Sequence, residues 1–388
     1  MKHDILVCGT GIVGLATALA LARRGQPAAL LGPRPELPAA APGRYHPRVY
    51  ALSPASQRFL DELGVWDVLP AARLAGVSAM EIAGDAGGRV HLDAWQAAQS
   101  ELAWIVESVE IERALAQAVR MSGVAWVEDR CAGLCDGVLE TEGGRRIEAR
   151  LAVAADGAGS PLRAAAGLAA DSRPYGQTGL VVHLDAGRPH GGTAFQWFRP
   201  DGVLALLPMP DTADGPQVSL VWSLRTDLAD ALLALPQEEQ ARVLPQRLAE
   251  ATRGRLGALR PRDRLRGFPL TLDRAPLTGP GLALVGDAAH RVHPLAGQGL
   301  NLGLGDARAL AEAVGGREPW RSPGDPVVLG RYRRARAEPV LAMRLATDGL
   351  HRLFGTRAAP LVWLRNAGMQ WVERLPGVKR GLIAGASR

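Results

Sequence analysis

The chain has 388 residues, 47% of them hydrophobic and 22% charged, enough apolar side chain for a large core and two domains, which excludes an intrinsically disordered protein. Its net charge of +6 is unevenly placed, because residues 329–388 hold twelve Arg and Lys against three Asp and Glu, net +9, leaving the remainder at −3. No nucleic-acid reader motif accompanies that charge, so no nucleic acid is expected as a partner, and three cysteines are too few for a disulfide framework, which points to a reducing cytoplasm.

Ile5-Leu6-Val7-Cys8 predicts a buried strand, and Gly9-Thr10-Gly11-Ile12-Val13-Gly14 follows it. An Ala-rich helical stretch over 15–22 then stops at Arg23-Arg24-Gly25. This is the context a dinucleotide fingerprint needs, with one glycine for the turn, one for close approach of pyrophosphate and one for helix–strand packing. The uncharged run 5–22 is at the short limit for crossing a bilayer and lacks a convincing small-residue cleavage site. It is therefore expected to be a buried βα unit rather than a signal peptide or a span. A second strand over 28–31 should lead to the acid that binds a dinucleotide's ribose. It ends instead at Gly32-Pro33-Arg34, leaving Glu36 to reach back, or the adenosine to be held by backbone and water.

Helices are predicted around 54–63 and over 109–121. Cys131 and Cys135 have no second ligand pair, nor do His290 and His293, so no metal is expected. Residues 151–155 form another apolar strand, ending in Asp156-Gly157-Ala158-Gly159-Ser160-Pro161-Leu162-Arg163. That places polar groups where open α/β sheets bind ligands. Between about 173 and 269 the texture changes: Val218, Leu220, Trp222 and Leu224 alternate with other residues, and Pro200-Asp201-Gly202 is a turn between apolar stretches at 193–198 and 203–207. These are signs of antiparallel strands in an inserted second domain, able to roof a cavity.

Residues 282–285 read as a buried strand delivering Gly286 and Asp287, whose carboxylate can accept hydrogen bonds from a sugar-alcohol chain. A proline-bearing loop with Pro294 leads to Gly297-Gln298-Gly299-Leu300-Asn301 and a helix. Gly297 and Gly299 leave backbone N–H groups bare at the helix's positive end, where a flat ring that becomes negative on reduction is favoured. The simplest such ligand is a flavin. The basic tail, with Leu361, Trp363, Leu364, Met369 and Trp371, suits either a helix packed on the cofactor domain with arginines outward or a peripheral contact with an anionic membrane.

The segments Gly9 to Gly14, Asp156 to Arg163 and Gly286 to Asp306 occur in the order of the three fingerprints of class A flavoprotein hydroxylases. The chain resembles that family over nearly its whole length, specifically the ubiquinone-biosynthesis hydroxylases of the UbiH/UbiF/VisC type. Pro47-Arg48-Val49-Tyr50-Ala51-Leu52-Ser53, Trp104-Ile105-Val106-Glu107, Tyr175-Gly176-Gln177-Thr178, Tyr332-x3-Arg336 and Leu364-Arg365-Asn366-Ala367-Gly368 are similar to that branch. Gly32, Ser108 and Gln196-Trp197 depart from it.

The resemblance implies an α/β fold like that of para-hydroxybenzoate hydroxylase: a Rossmann-type FAD-binding domain (1–72, 98–172 and 270–328), an inserted antiparallel-sheet substrate domain (73–97 and 173–269) and C-terminal helices (329–388). It implies that Gly9, Gly11 and Gly14 receive the FAD pyrophosphate, that Arg48 lies near the cofactor, and that Asp156 and Gly157 serve both FAD and transient NAD(P)H. Gly286 and Asp287 would hold the ribityl region, and Pro294, Gly297, Gln298, Gly299, Leu300 and Asn301 would line the isoalloxazine, with Pro294, Gly297 and Gly299 at its reactive part. The implied reaction is hydroxylation of a phenol, expected to be prenylated, by O₂ through NAD(P)H-reduced flavin and its C4a-hydroperoxide, on the route to ubiquinone. Alternatives are a same-fold hydroxylase of a soluble aromatic, a flavin-dependent reductase, or a non-catalytic scaffold of a ubiquinone-synthesis complex.

Overall fold

The computed structural model describes residues 1–38, 43–135, 137–293, 297–355 and 359–387. Its first sheet runs Thr278–Gly279, Leu282–Leu284, Arg146–Ala154, Lys2–Cys8, Ala28–Leu31, Ala125–Val127 across the molecule. The last five are mutually parallel, paired Ala154 with Leu284, Cys8 with Ala154, Cys8 with Leu31, and Leu31 with Val127. Ile5, Leu6, Val7, Leu151 and Val153 are fully buried, as expected of strands covered on both faces.

The helix Ile12–Arg23 is buried from Gly14 to Leu21 and packs on the helix Gln298–Gly315. Small residues permit the approach: a Cβ on Gly303 would lie 2.7 Å from Val13 Cγ2, and one on Gly286 3.2 Å from the same side chain. The two helices thus pack together on one face of the sheet, against Ile5, Val7, Leu151, Val153 and Ala283.

The second sheet has nine strands, drawn from Ala79–Ala83, Arg89–Asp93, seven segments between 171 and 291, and chiefly antiparallel pairs. Leu180, Leu206, Leu220 and Trp222 bury one face against the helices Thr226–Leu233 and Gln237–Thr252. One of its edge strands is His290–Arg291, paired with Asp273 and Arg274, so the segment that follows Asp287 is stitched into this sheet. A small third sheet, Val49–Leu52, Ala103–Glu107 and Leu74–Val77, lies beside it.

Three helices close the chain: Pro326–Gly355, Ala359–Arg374 and Pro376–Ala386. The first packs on Gln298–Gly315, as a tail resting on the cofactor domain would. The other two pack elsewhere, on Arg89–Asp93 and the turn Ala94–Ala97. Nor do all their arginines face outward. Arg365 is buried and paired with Asp85, because Asp85 and the nearby glycine turn leave a polar socket that the helix fills with Arg365 and Asn366. Among the described residues no helix is long and apolar enough to cross a membrane.

Candidate cofactor cleft

The three glycine-rich segments converge at the ends of neighbouring parallel strands. Ala155 N–H donates to Cys8 carbonyl at 2.8 Å and Val285 N–H to Ala154 carbonyl at 3.0 Å, bringing the segments after Cys8, Ala154 and Leu284 side by side. Arg163 bridges two of them, donating to Ala158 carbonyl at 2.9 Å and Ala288 carbonyl at 2.7 Å. It is a clamp between turns rather than a solvated arginine.

Within the first turn the glycines divide into two kinds. A Cβ on Gly9 would fall 2.2 Å from Ala155 carbonyl oxygen and one on Gly14 2.0 Å from Gly9 carbonyl oxygen, so both serve packing of the chain on itself. Gly11 has nothing within 4 Å of the place its Cβ would occupy. It is also the N-cap of Ile12–Arg23 and provides no side-chain cap, so the first helical N–H groups face open space suited to an anion.

The second segment carries Asp156. One carboxylate oxygen accepts from Leu162 N–H at 3.1 Å, while Oδ1 is buried with no hydrogen-bond partner. Burial raises the carboxyl above its usual range, against the pull of Ser160 and the Leu162 amide. An orphaned acceptor beside open Gly157, at φ +86°, is what a hydroxyl-bearing ligand would complete.

Asp287, in the third segment, is exposed to solvent yet crowded by protein, the situation of a group lining a cleft. Crowding raises its carboxyl, and Arg48, His290 and Arg291 oppose the shift. Arg48 extends over the Tyr50 ring at 5.1 Å, and its own backbone is held by His46 Nδ1 at 3.2 Å and Ser108 N–H at 2.9 Å. Burial pushes the Tyr50 phenol up to about 12.

Gly297, at φ +63°, is the N-cap of Gln298–Gly315, again without a side-chain cap, and the Cβ position of Gly299 is open. Leu300 is 7% exposed and belongs to the core. The Asn301 amide is spent on the chain: Oδ1 accepts from Ser53 N–H at 3.0 Å and Ser56 Oγ at 2.7 Å, and Nδ2 donates to Ala51 carbonyl at 2.9 Å and Gln298 Oε1 at 3.1 Å. What residues 297–301 offer a ring is therefore chiefly backbone. Pro294 lies outside the described residues.

A profile of the FAD binding domain family matches residues 2–343. Ubiquinone hydroxylase UbiL of Rhodospirillum rubrum is 38% identical over 97% of this chain and 87% of its own length. The 3-demethoxyubiquinol 3-hydroxylase of Escherichia coli is 34% identical over 97% and 96%. This chain belongs to the FAD-dependent hydroxylases of ubiquinone biosynthesis. Its fold is that of the flavin monooxygenases: p-nitrophenol 4-monooxygenase PnpA of Pseudomonas putida superposes with a TM-score of 0.76 over 99% of this chain and 98% of that one, at 20% identity.

In this hydroxylase the third segment is anchored by a group that sequence reading passed over. Asp306 is fully buried and accepts from Gly286 N–H at 2.9 Å, His290 Nε2 at 2.7 Å and Arg336 Nε at 2.6 Å. Burial alone would raise its carboxyl, but His290 and Arg336 outweigh that and hold it below its usual range. For His290 burial pulls down and Asp306 more than compensates, so the imidazole stands above its ordinary value. Tyr332, one helical turn before Arg336, donates to Leu284 carbonyl at 2.7 Å. The available signal was an acid at 306 on the same helix stripe as Leu302, Gly303, Ala307 and Leu310.

Two further contacts join the cleft to the nine-stranded sheet. His293 Nε2 pairs with Gln177 Oε1 at 2.8 Å, with the Tyr175 ring edge-to-face at 4.8 Å. His183 donates from Nε2 to His46 carbonyl at 2.8 Å, while buried Glu107 accepts from His46 N–H and pairs with Arg73 at 2.7 Å. The segment bearing Arg48 is thus fixed from both domains. A separate cavity of about 900 Å³, between Ala79–Ala83, Arg89–Asp93, Thr193–Arg199 and the end of Gln237–Thr252, is lined by none of the cofactor-segment residues.

Proposed function

We propose that this hydroxylase oxygenates the ring of a prenylated phenol on the route to ubiquinone, with NAD(P)H and O₂ as co-substrates. The observation that carries the reading is a chain-long match to relatives named for ubiquinone-type substrates, joined to a cleft whose open Gly11 and Gly299 and orphaned Asp156 oxygen fit FAD. Bound FAD supplies the oxygen-transfer chemistry. The chain's part is to bind and shield. Gly9, Gly11 and Gly14 would form the pyrophosphate turn, Asp156 and Gly157 would take hydroxyl groups, and Asp287 would hold the sugar-alcohol chain. Uncapped N–H groups from Gly297 onward would favour negative charge on the ring, and Arg48 would complete the polar rim.

Purified protein reconstituted with FAD should oxidise NAD(P)H with formation of hydroxylated product when given prenylphenols, and far less with simple phenols. Equal turnover of both, or oxidation without an oxygenated product, overturns the substrate assignment. Peripheral membrane contact is part of the same proposal: Trp363, Trp371, Val378 and Leu382 are exposed on the last two helices, beside exposed Arg374 and Arg380. Sedimentation with anionic but not zwitterionic phospholipid vesicles is expected, and indifference to lipid charge would refute it.

A further inference from the structure

The strand Ala28–Leu31 ends without the acid that ordinarily holds a dinucleotide's ribose, and the structure shows why none can stand there. A Cβ on Gly32 would lie 2.7 Å from Thr10 Cγ2 and 3.0 Å from its Oγ1. Thr10, inside the first glycine turn, is itself fixed by donating to Pro33 carbonyl at 2.7 Å. The space that would take a carboxylate stem is occupied.

One strand further along, a carboxylate is available. Ala125–Val127 lies parallel to Ala28–Leu31 with Leu31 opposite Val127, and Gly32 N–H donates to Val127 carbonyl at 3.1 Å. Glu128 is therefore the neighbour of Gly32 at the carboxyl edge of the sheet. Adjacent strands are about 4.8 Å apart, a gap that a glutamate's two methylenes and carboxyl group span. Its carboxylate is half exposed, and one oxygen pairs with Arg34 Nε at 2.5 Å. Arg34 lies over the Trp126 ring at 5.1 Å, and Trp126 Nε1 donates to Gly32 carbonyl at 2.9 Å. Arg34, Trp126 and Gly32 thus hold Glu128 at the strand end. The next acid, Asp129, is turned away, accepting from Arg130 and Gly143 N–H groups at 2.8 and 3.2 Å. Glu36 is exposed, four residues beyond Gly32.

We propose that Glu128 replaces the missing acid and accepts the 2′-hydroxyl of the FAD adenosine ribose. A dinucleotide whose pyrophosphate lies at the first helix N-terminus places its adenosine toward the second strand, where this carboxylate stands. The inference rests on FAD being the cofactor. Flavin-free protein is titrated with FAD and with FAD built on 2′-deoxyadenosine, for wild type, Glu128→Gln and Glu36→Gln, with flavin fluorescence as readout. Glu128→Gln should weaken FAD about tenfold, leave the 2′-deoxy compound bound as in wild type, and unfold at the wild-type temperature because the Arg34 pair is exposed. Glu36→Gln should bind both like wild type. Equal weakening toward both flavins, unchanged FAD affinity in Glu128→Gln, or a selective loss in Glu36→Gln overturns the assignment. Wild-type protein that takes up neither flavin would refute the cofactor reading itself.

Discussion

The first glycine turn and the third segment, residues 286–293 and 297–301, stand at neighbouring strand ends but are built by different means. The first is held by its own backbone and the adjoining strand end: Gly14 against Gly9, and Gly9 against Ala155. The second is held by side chains distant in the chain, Asp306 and Arg336 for Gly286 and His290, and Asn301 for the strand Val49–Leu52 with Ser53 and Ser56. A turn made by steric exclusion tolerates no side chain at its contact points. A loop made by buried polar groups depends on every partner being present.

The largest effect should come from breaking the first kind. Gly14→Ala puts a methyl 2.0 Å from a carbonyl oxygen and is expected to cost about 4 kcal/mol or more, seen as loss of soluble folded protein. Gly11→Ala, three residues away in open space, should leave the thermal midpoint near wild type while weakening FAD retention about tenfold or more. If both variants unfold alike, the division of the glycines is wrong. Arg336→Met leaves the fully buried Asp306 with only His290 and the Gly286 amide and should cost about 3 kcal/mol in chemical denaturation. Asn301→Ala removes the stitch to Ala51, Ser53 and Ser56 and should cost about 1–3 kcal/mol, with the third segment's protease sensitivity rising before the first's.

The smallest effect is a pH dependence confined to the third segment. Asp306 has a depressed folded-state pKa, so its contribution is present above the unfolded value of about 3.9 and lost as pH falls through the folded one. His290 is raised, so its contribution is full below the unfolded value of about 6.5 and lost as pH rises through the folded one. The thermal midpoint should therefore decline on the alkaline side of about pH 6.5. That decline should be shallower in His290→Gln, and an unaltered alkaline limb would show that this histidine is not the group responsible.

Legibility in the sequence followed how locally each feature is encoded. The strands at 5–8, 28–31 and 151–155 and the hairpin around Pro200-Asp201-Gly202 announced themselves through apolar runs, alternation and turn residues, and each coincides with a strand or turn of the structure, save that the third strand ends at Ala154, one residue early. The third segment was recognised by composition, yet the division of labour inside it was not. Leu300 belongs to the core and the Asn301 amide to the strand Val49–Leu52, because spacing alone does not reveal which side of a helix faces the cleft. The tail's charge was visible, whereas its docking on Arg89–Asp93 through Arg365 and Asn366 required a partner, Asp85, some 280 residues earlier.

By itself the sequence determined the order strand, glycine turn and helix, the antiparallel character of the inserted sheet and the three glycine-rich stretches that stand side by side at neighbouring strand ends, since all of these depend on periodicity and backbone sterics within a few residues. Only the tertiary structure decided which glycines are open, which acid is buried beneath Gly286 and which carboxylate stands beside Gly32. Those outcomes depend on strand register and helix packing, which bring together groups the chain keeps far apart.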